Sequence, residues 1–169
     1  LGISADGSTV VGKSAGQAFR WTAPGGMQFL GYLPGASSSE AEAVSGDGSR
    51  VVGFSGSGAF LWTGSGAMQD LGSLSGRNPG GAALGISTDG STIVGDGDGL
   101  AFRWTQATGM QSLGFLSGIQ YSYAYGVSSD GSVAVGTAFD PSLNPLAFRW
   151  TQATGMESLG RLPGSGDTL

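Results

Sequence analysis

A chain of 169 residues with net charge −5, carrying nine Asp and three Glu against six Arg and one Lys, has no basic stripe to neutralise phosphates, which excludes nucleic acid and anionic membrane surfaces as partners. With no Cys and no His there are no disulfides, no thiolate or zinc-thiolate chemistry and no imidazole base, so neither a metal nor a cofactor is expected; no apolar run approaches the roughly 18 residues that insertion of this segment into a membrane would need. Glycine fills 34 positions, and because the glycines recur at fixed offsets from apolar residues they mark tight turns and not a solvated linker.

From Leu1 the first elements are a short Gly-Ile-Ser strand, a Ser-Ala-Asp-Gly reversal around Asp6, and a strand over Thr9-Val10-Val11-Gly12. In the reversal glycine supplies positive φ and the aspartate accepts from the amide two residues on. A third strand, Ala18-Phe19-Arg20-Trp21-Thr22, places Phe and Trp on one face and Arg on the other, and a fourth runs from Met27 to Leu33 before Pro34-Gly35. The pattern then repeats. Asp6, Asp47, Asp89 and Asp130 stand 41, 42 and 41 residues apart, and Trp21, Trp62, Trp104 and Trp150 stand 41, 42 and 46 apart. The phase divides the chain into units 1–43, 44–83, 84–126 and 127–169.

Four short antiparallel strands per unit at a period of about 42 residues is the signature of a propeller blade, so the expected fold is an all-β β-propeller built from four-stranded antiparallel blades, with a β-solenoid or stacked β-prism as the alternative. The size gradient agrees with a propeller: Gly, Ala and Ser in the first strand suit a crowded axis, while Phe, Trp, Met and Leu fill widening gaps between blades. Phe19, Trp21, Phe60, Trp62, Phe102, Trp104, Phe148 and Trp150 are the predicted structural core, since large aromatics recurring at one spacing dominate burial.

The string A-x-G-[IV]-S-x-D-G-S, then AF-[RL]-W-T, then G-M-x-x-LG-x-L-[PS]-G resembles the HAF repeat family over essentially the whole chain. The resemblance implies a repeat architecture and a location outside the cell or on the bacterial cell surface, sometimes upstream of an autotransporter domain. It departs at the histidine of the family's name, replaced here by Gln17, Gly58, Leu100 and Leu146.

The chain begins at Leu1 in mid-pattern and carries no signal peptide, as expected of a piece excised from a longer product. Gly166-Asp167-Thr168-Leu169 would join Leu1-Gly2-Ile3-Ser4 in nearly correct phase. Four units are therefore expected to be half of something: two copies in an eight-bladed ring, a cut from a longer array, or one subunit of a head-to-tail polymer.

Each candidate site has a plain structural alternative. Asp6, Asp47, Asp89 and Asp130 give one carboxylate per turn, short of the six to eight oxygens that calcium takes, so they read as turn formers. Asp96 and Asp98 place two carboxylates on one predicted loop and are the best single calcium candidate, with no further ligands to name. Arg20, Arg103 and Arg149 read as stems packed on a neighbouring blade and paired with nearby aspartates, because Leu61 stands at the same place in the second unit. Departures from the repeat are the better places for function. Tyr121, Tyr123 and Tyr125 lie in the crossover to the fourth unit, and Phe139 to Pro145 enlarges one of its turns; Tyr121, Tyr123, Asp140 and Asn144 form the expected binding patch if the two share a face.

The expected function is a non-enzymatic surface module for adhesion, protein binding or assembly, whose partner is itself, another surface protein or a glycan. A lectin-like propeller, or a fragment of a lyase or glycan hydrolase, is the alternative; catalysis would require paired carboxylates near the axis, and Glu40, Glu42 and Glu157 form no cleft-like pattern.

Overall fold

The computed structural model describes residues 1–64, 66–76 and 80–160. Among the described residues sixteen strands form four separate sheets, each antiparallel and ordered as the chain runs. Blade 1 holds β1 (Gly2–Ile3), β2 (Thr9–Ser14), β3 (Gln17–Thr22) and β4 (Gly26–Phe29). Blade 2 holds β5 (Ser39–Val44), β6 (Val51–Ser55), β7 (Gly58–Trp62) and β8 (Gln69–Asp70). Blade 3 holds β9 (Gly81–Ile86), β10 (Thr92–Gly97), β11 (Leu100–Thr105) and β12 (Gly109–Ser112); blade 4 holds β13 (Tyr121–Val127), β14 (Val133–Phe139), β15 (Pro145–Thr151) and β16 (Gly155–Ser158). The architecture is that of a β-propeller, with discrete antiparallel sheets where a solenoid would show continuous parallel rungs.

Two boundaries differ from the sequence reading. The first strand of blades 2, 3 and 4 begins at Ser39, Gly81 and Tyr121, several residues before the unit boundaries at 44, 84 and 127. The fourth strand is shorter than Met27 to Leu33: β4 stops at Phe29, and the irregular chain beyond drops Leu30 and Leu33 between blades 1 and 2. The join of Gly166 to Leu169 onto Leu1 lies outside the described residues.

Register explains the core. In blade 4, Ser122, Ala138, Ala134, Gly136, Phe148 and Trp150 share one face, and Tyr121, Tyr123, Phe139, Thr137, Val135, Ala147 and Arg149 share the other. The first face turns towards blade 3: Ala124, Ala134, Ala138, Phe148 and Trp150 pack with Val94, Ala101 and Leu113. The same contact repeats twice, with Phe60 and Trp62 on Val11, Ala18 and Leu30, and with Phe102 and Trp104 on Val52, Ala59 and Leu71. Each blade thus offers Phe and Trp backwards and a Val-Ala-Leu face forwards. Phe60, Phe102 and Phe148 are wholly buried, each worth about 2–3 kcal/mol of apolar transfer.

Backbone bonds tie the blades as well. The turn amide of Ala5 donates to Gly46 O at 3.0 Å, and that of Gly46 donates to Thr88 O at 2.9 Å. Seryl hydroxyls in the first strands accept from the neighbouring blade, Ser39 Oγ from Ala18 N and Ser122 Oγ from Ala101 N, both at 2.9 Å. Glycine is required where the first strand bulges: a Cβ at Gly95 would overlap the Ala82 carbonyl, at the point where the β9–β10 register shifts.

Candidate interaction face

The four Asp-Gly turns share one geometry. Ser4 Oγ donates to Asp6 Oδ1 at 2.7 Å, Ser8 N donates to the same oxygen at 3.0 Å, and Thr9 N donates back to Ser4 Oγ at 3.0 Å. Ser45 with Asp47 and Ser128 with Asp130 repeat the arrangement, and so do Ser87 and Asp89. The Ser8 amide followed by the Ser4 hydroxyl holds the Asp6 carboxyl down to about 2, while at Asp47 and Asp130 the preceding serine hydroxyl is the leading cause of the same value. Asp89 is lowered in the same way by Ser87. Each carboxylate is occupied by its own turn.

Asp96 and Asp98 do not share a loop. Asp96 lies within β10, opposite Ala82 and Ala101, and burial raises its pKa above the ordinary carboxylate range. Asp98 stands in the turn beyond, at φ 53, and its Oδ2 accepts from Ser75 N at 2.8 Å. The sequence reading placed both on one loop because the glycines around them look like turn residues; Gly95 and Gly97 instead continue the strand. Among the described residues no group of three or more His, Cys, Asp or Glu comes together to hold a metal ion.

The arginines pair differently from the aspartate pairing expected of them. Arg20 Nε donates to Gly48 O of blade 2 at 3.2 Å and its Nη2 to Thr9 Oγ1 at 3.4 Å, Arg103 Nη2 donates to Thr92 Oγ1 at 3.3 Å, and Arg149 meets Glu157 at 3.4 Å. Turn carbonyls and threonine hydroxyls lie along the path of the stem, whereas the turn aspartates are already held by serines.

Blade 4 brings the two irregular segments together. Alternation along β13 buries Ser122 and Ala124 against blade 3 and leaves Tyr121 and Tyr123 on the forward face, opposite Phe139 and Thr137. Tyr123 stacks on Tyr125 with centroids 6.3 Å apart and meets Phe139 edge-on at 5.9 Å. Desolvation, followed by the Asp96 charge, raises the Tyr123 phenol above its usual value, which keeps it a neutral hydroxyl. Tyr121, Tyr123, Phe139 and Leu143 line a recess of about 190 Å³. Asp140 and Asn144 do not line it. Asp140 Oδ1 accepts from Ser142 N and Asn144 N, both at 2.9 Å, and Oδ2 accepts from Asn144 Nδ2 at 3.0 Å. This clamp holds Leu143 at φ 62 over the tyrosines. Sequence reasoning found the tyrosines and the loop but left out Phe139 and Leu143 as lining residues; an aliphatic side chain in an otherwise polar turn was the available signal.

A second cleft, of about 360 Å³, runs between Leu33 to Ala36 and Ser55 to Gly58 with Asp70 at its edge. Asp70 caps Gly72 N at 2.8 Å, and this lone carboxylate gives the cleft no acid-base pair.

No family model and no curated protein matches the chain. Solved structures do. A putative TolB from Agrobacterium tumefaciens superposes with a TM-score of 0.67 at 17% identity, over 95% of this chain and 61% of that one. TolB from Acinetobacter baumannii superposes with a TM-score of 0.64 at 14% identity, over 94% of this chain and 42% of that one. At such identity the likeness shows the fold alone, and this chain spans less than two thirds of either neighbour.

Proposed function

We propose that the chain is a non-enzymatic protein-binding module of the bacterial envelope or cell surface, and that the forward face of blade 4 is its contact surface. The observation that carries this is the aromatic recess of Tyr121, Tyr123, Phe139 and Leu143, assembled from the two segments that depart from the repeat. Tyrosine supplies rigid, amphipathic contact area, and an apolar recess of this size accepts a side chain from a protein surface better than it accepts sugar hydroxyls. The resemblance of the repeats to a bacterial surface family supports the location.

The reading is tested by immobilising the chain and measuring saturable binding of purified envelope proteins and of soluble oligosaccharides. Protein binding without turnover, weakened tenfold or more by Tyr121→Ser with Tyr123→Ser, is expected. Binding of oligosaccharides alone, or protein binding indifferent to both substitutions, would overturn it.

A further inference from the structure

Two departures from the repeat, both in blade 2, shape the cleft of about 360 Å³ between blades 1 and 2. The first is Gly58, which precedes Ala59-Phe60 where Gln17, Leu100 and Leu146 stand in the other blades, and which leaves the cleft without a side chain at that point. Ser55 beside it is buried and its hydroxyl is already engaged, accepting from Leu33 N at 2.9 Å and donating to Ser38 O at 3.1 Å. The second is Asp70, which pairs with Phe60 as Ser112 pairs with Phe102 and Ser158 with Phe148, so its side chain lies on the face turned towards blade 1. Ser112 and Ser158 accept from the amide two residues on, Gly114 N and Gly160 N, both at 3.1 Å, and Asp70 Oδ1 takes the equivalent bond from Gly72 N at 2.8 Å. That cap needs one oxygen, and the carboxylate brings a second. Among the described residues Asp70 Oδ2 has no hydrogen-bond partner, and the two ion pairs, Lys13 with Glu40 and Arg149 with Glu157, leave Asp70 out.

We propose that this cleft takes the side chain of a lysine or arginine from a partner protein, with the aliphatic stem along Leu33 and Pro34 and the charged head at Asp70 Oδ2. Long basic side chains join an apolar stem to a charged tip, and the cleft presents the same two characters, Leu33, Pro34 and Ala36 along one wall and a single carboxylate at its edge. A charge-assisted hydrogen bond to that carboxylate is about twice as strong as a neutral one. An acidic side chain is repelled there, and an aliphatic one of equal length covers the carboxylate without pairing it, which costs free energy. The net charge of −5 adds long-range attraction for a basic partner. Both walls lie within the array, where two blades meet. The contact is separate from the tyrosine recess of blade 4, and neither depends on the other.

Amide chemical-shift titration of the isotope-labelled 169-residue chain tests this with the Nα-acetyl methylamides of lysine, arginine, norleucine and glutamate. Lysine or arginine is expected to shift the Ser57 and Gly58 amides saturably, whereas norleucine and glutamate leave them in place. Asp70→Ser keeps the capping oxygen, as Ser112 and Ser158 do in their blades, and should weaken binding about tenfold. Gly58→Leu supplies the side chain that blades 3 and 4 carry and should abolish binding by filling the cleft. Titrations that saturate with neither basic probe, norleucine binding as well as lysine, or binding unchanged in Asp70→Ser would each overturn the inference. None of these results touches the tyrosine recess, which is decided by Tyr121→Ser with Tyr123→Ser. Peak dispersion in the unligated spectra confirms folding of each variant, and Asp70→Asn, which also retains a capping oxygen, takes the place of Asp70→Ser should that variant unfold.

Discussion

Trp62 and Trp21 occupy the same place in consecutive blades, within AFLWT and AFRWT, and their surroundings are opposite. Trp62 is enclosed by Val11, Leu30 and Leu33 of the blade before it, while Trp21 has no blade before it in this chain and stands 38% exposed. The local sequence is nearly identical, so burial here belongs to the neighbour and not to the residue. A repeat array therefore has two kinds of stability, one set by contacts that lie inside it and one left over at its ends.

The largest expected effect breaks the comparison at its centre. Trp104→Ala should destabilise the fold by about 3–5 kcal/mol, because a side chain 4% exposed leaves a cavity between blades 2 and 3. Trp21→Ala should cost about 1–2 kcal/mol in urea unfolding at a dilution where the chain is monomeric, since much of that surface is already wet. Equal losses would mean that blade 1 is covered in solution.

A smaller contrast separates the turns. Gly7 at φ 74 has open space around the place of a Cβ, whereas a Cβ at Gly48, at φ 71, would run into the Thr9 side chain of blade 1. Gly7→Ala should cost about 1 kcal/mol from backbone strain alone, and Gly48→Ala about 2–4 kcal/mol because overpacking between blades is added. Urea midpoints that fall together would show that the turns are not wedged between blades.

The smallest effect is on acid stability. Asp6, Asp47 and Asp130 titrate at about 2 in the folded chain against 3.8 unperturbed, and Asp89 is shifted the same way. Depressed folded values stabilise above the unfolded pKa, so this contribution is complete above 3.8 and is lost as pH falls towards 2. Asp96, raised by burial, works in the opposite sense. The melting temperature should decline over that window, and replacing all four turn aspartates with Asn should flatten the decline. An unchanged slope would show that the serine bonds do not hold in solution.

Sequence periodicity made the four sheets, their strand order and seven of the eight predicted core aromatics legible, all but the exposed Trp21, because Asp-Gly turns and Phe-x-Trp strands carry local signals. The early start of the first strands was not legible: Ser39-Glu40-Ala41-Glu42 shows no apolar face, and it becomes a strand only by pairing with β6 and fitting its small residues against blade 1. Half of the candidate site could be read. Tyr121 and Tyr123 stood out by composition, whereas the roles of Asp140 and Asn144 as a clamp, and of Phe139 and Leu143 as lining, depend on a turn conformation that side-chain identity does not specify. The exposure of Trp21 was illegible for the reason given above.

Because every blade meets the next through the same pair of surfaces, whole units can be gained or lost without a new interface having to arise. Unequal recombination within the coding sequence would join a Phe-Trp surface to a Val-Ala-Leu surface at the new junction as before. Copy number is thereby free to drift under selection, while the irregular loop and tyrosines of the fourth unit can specialise on their own.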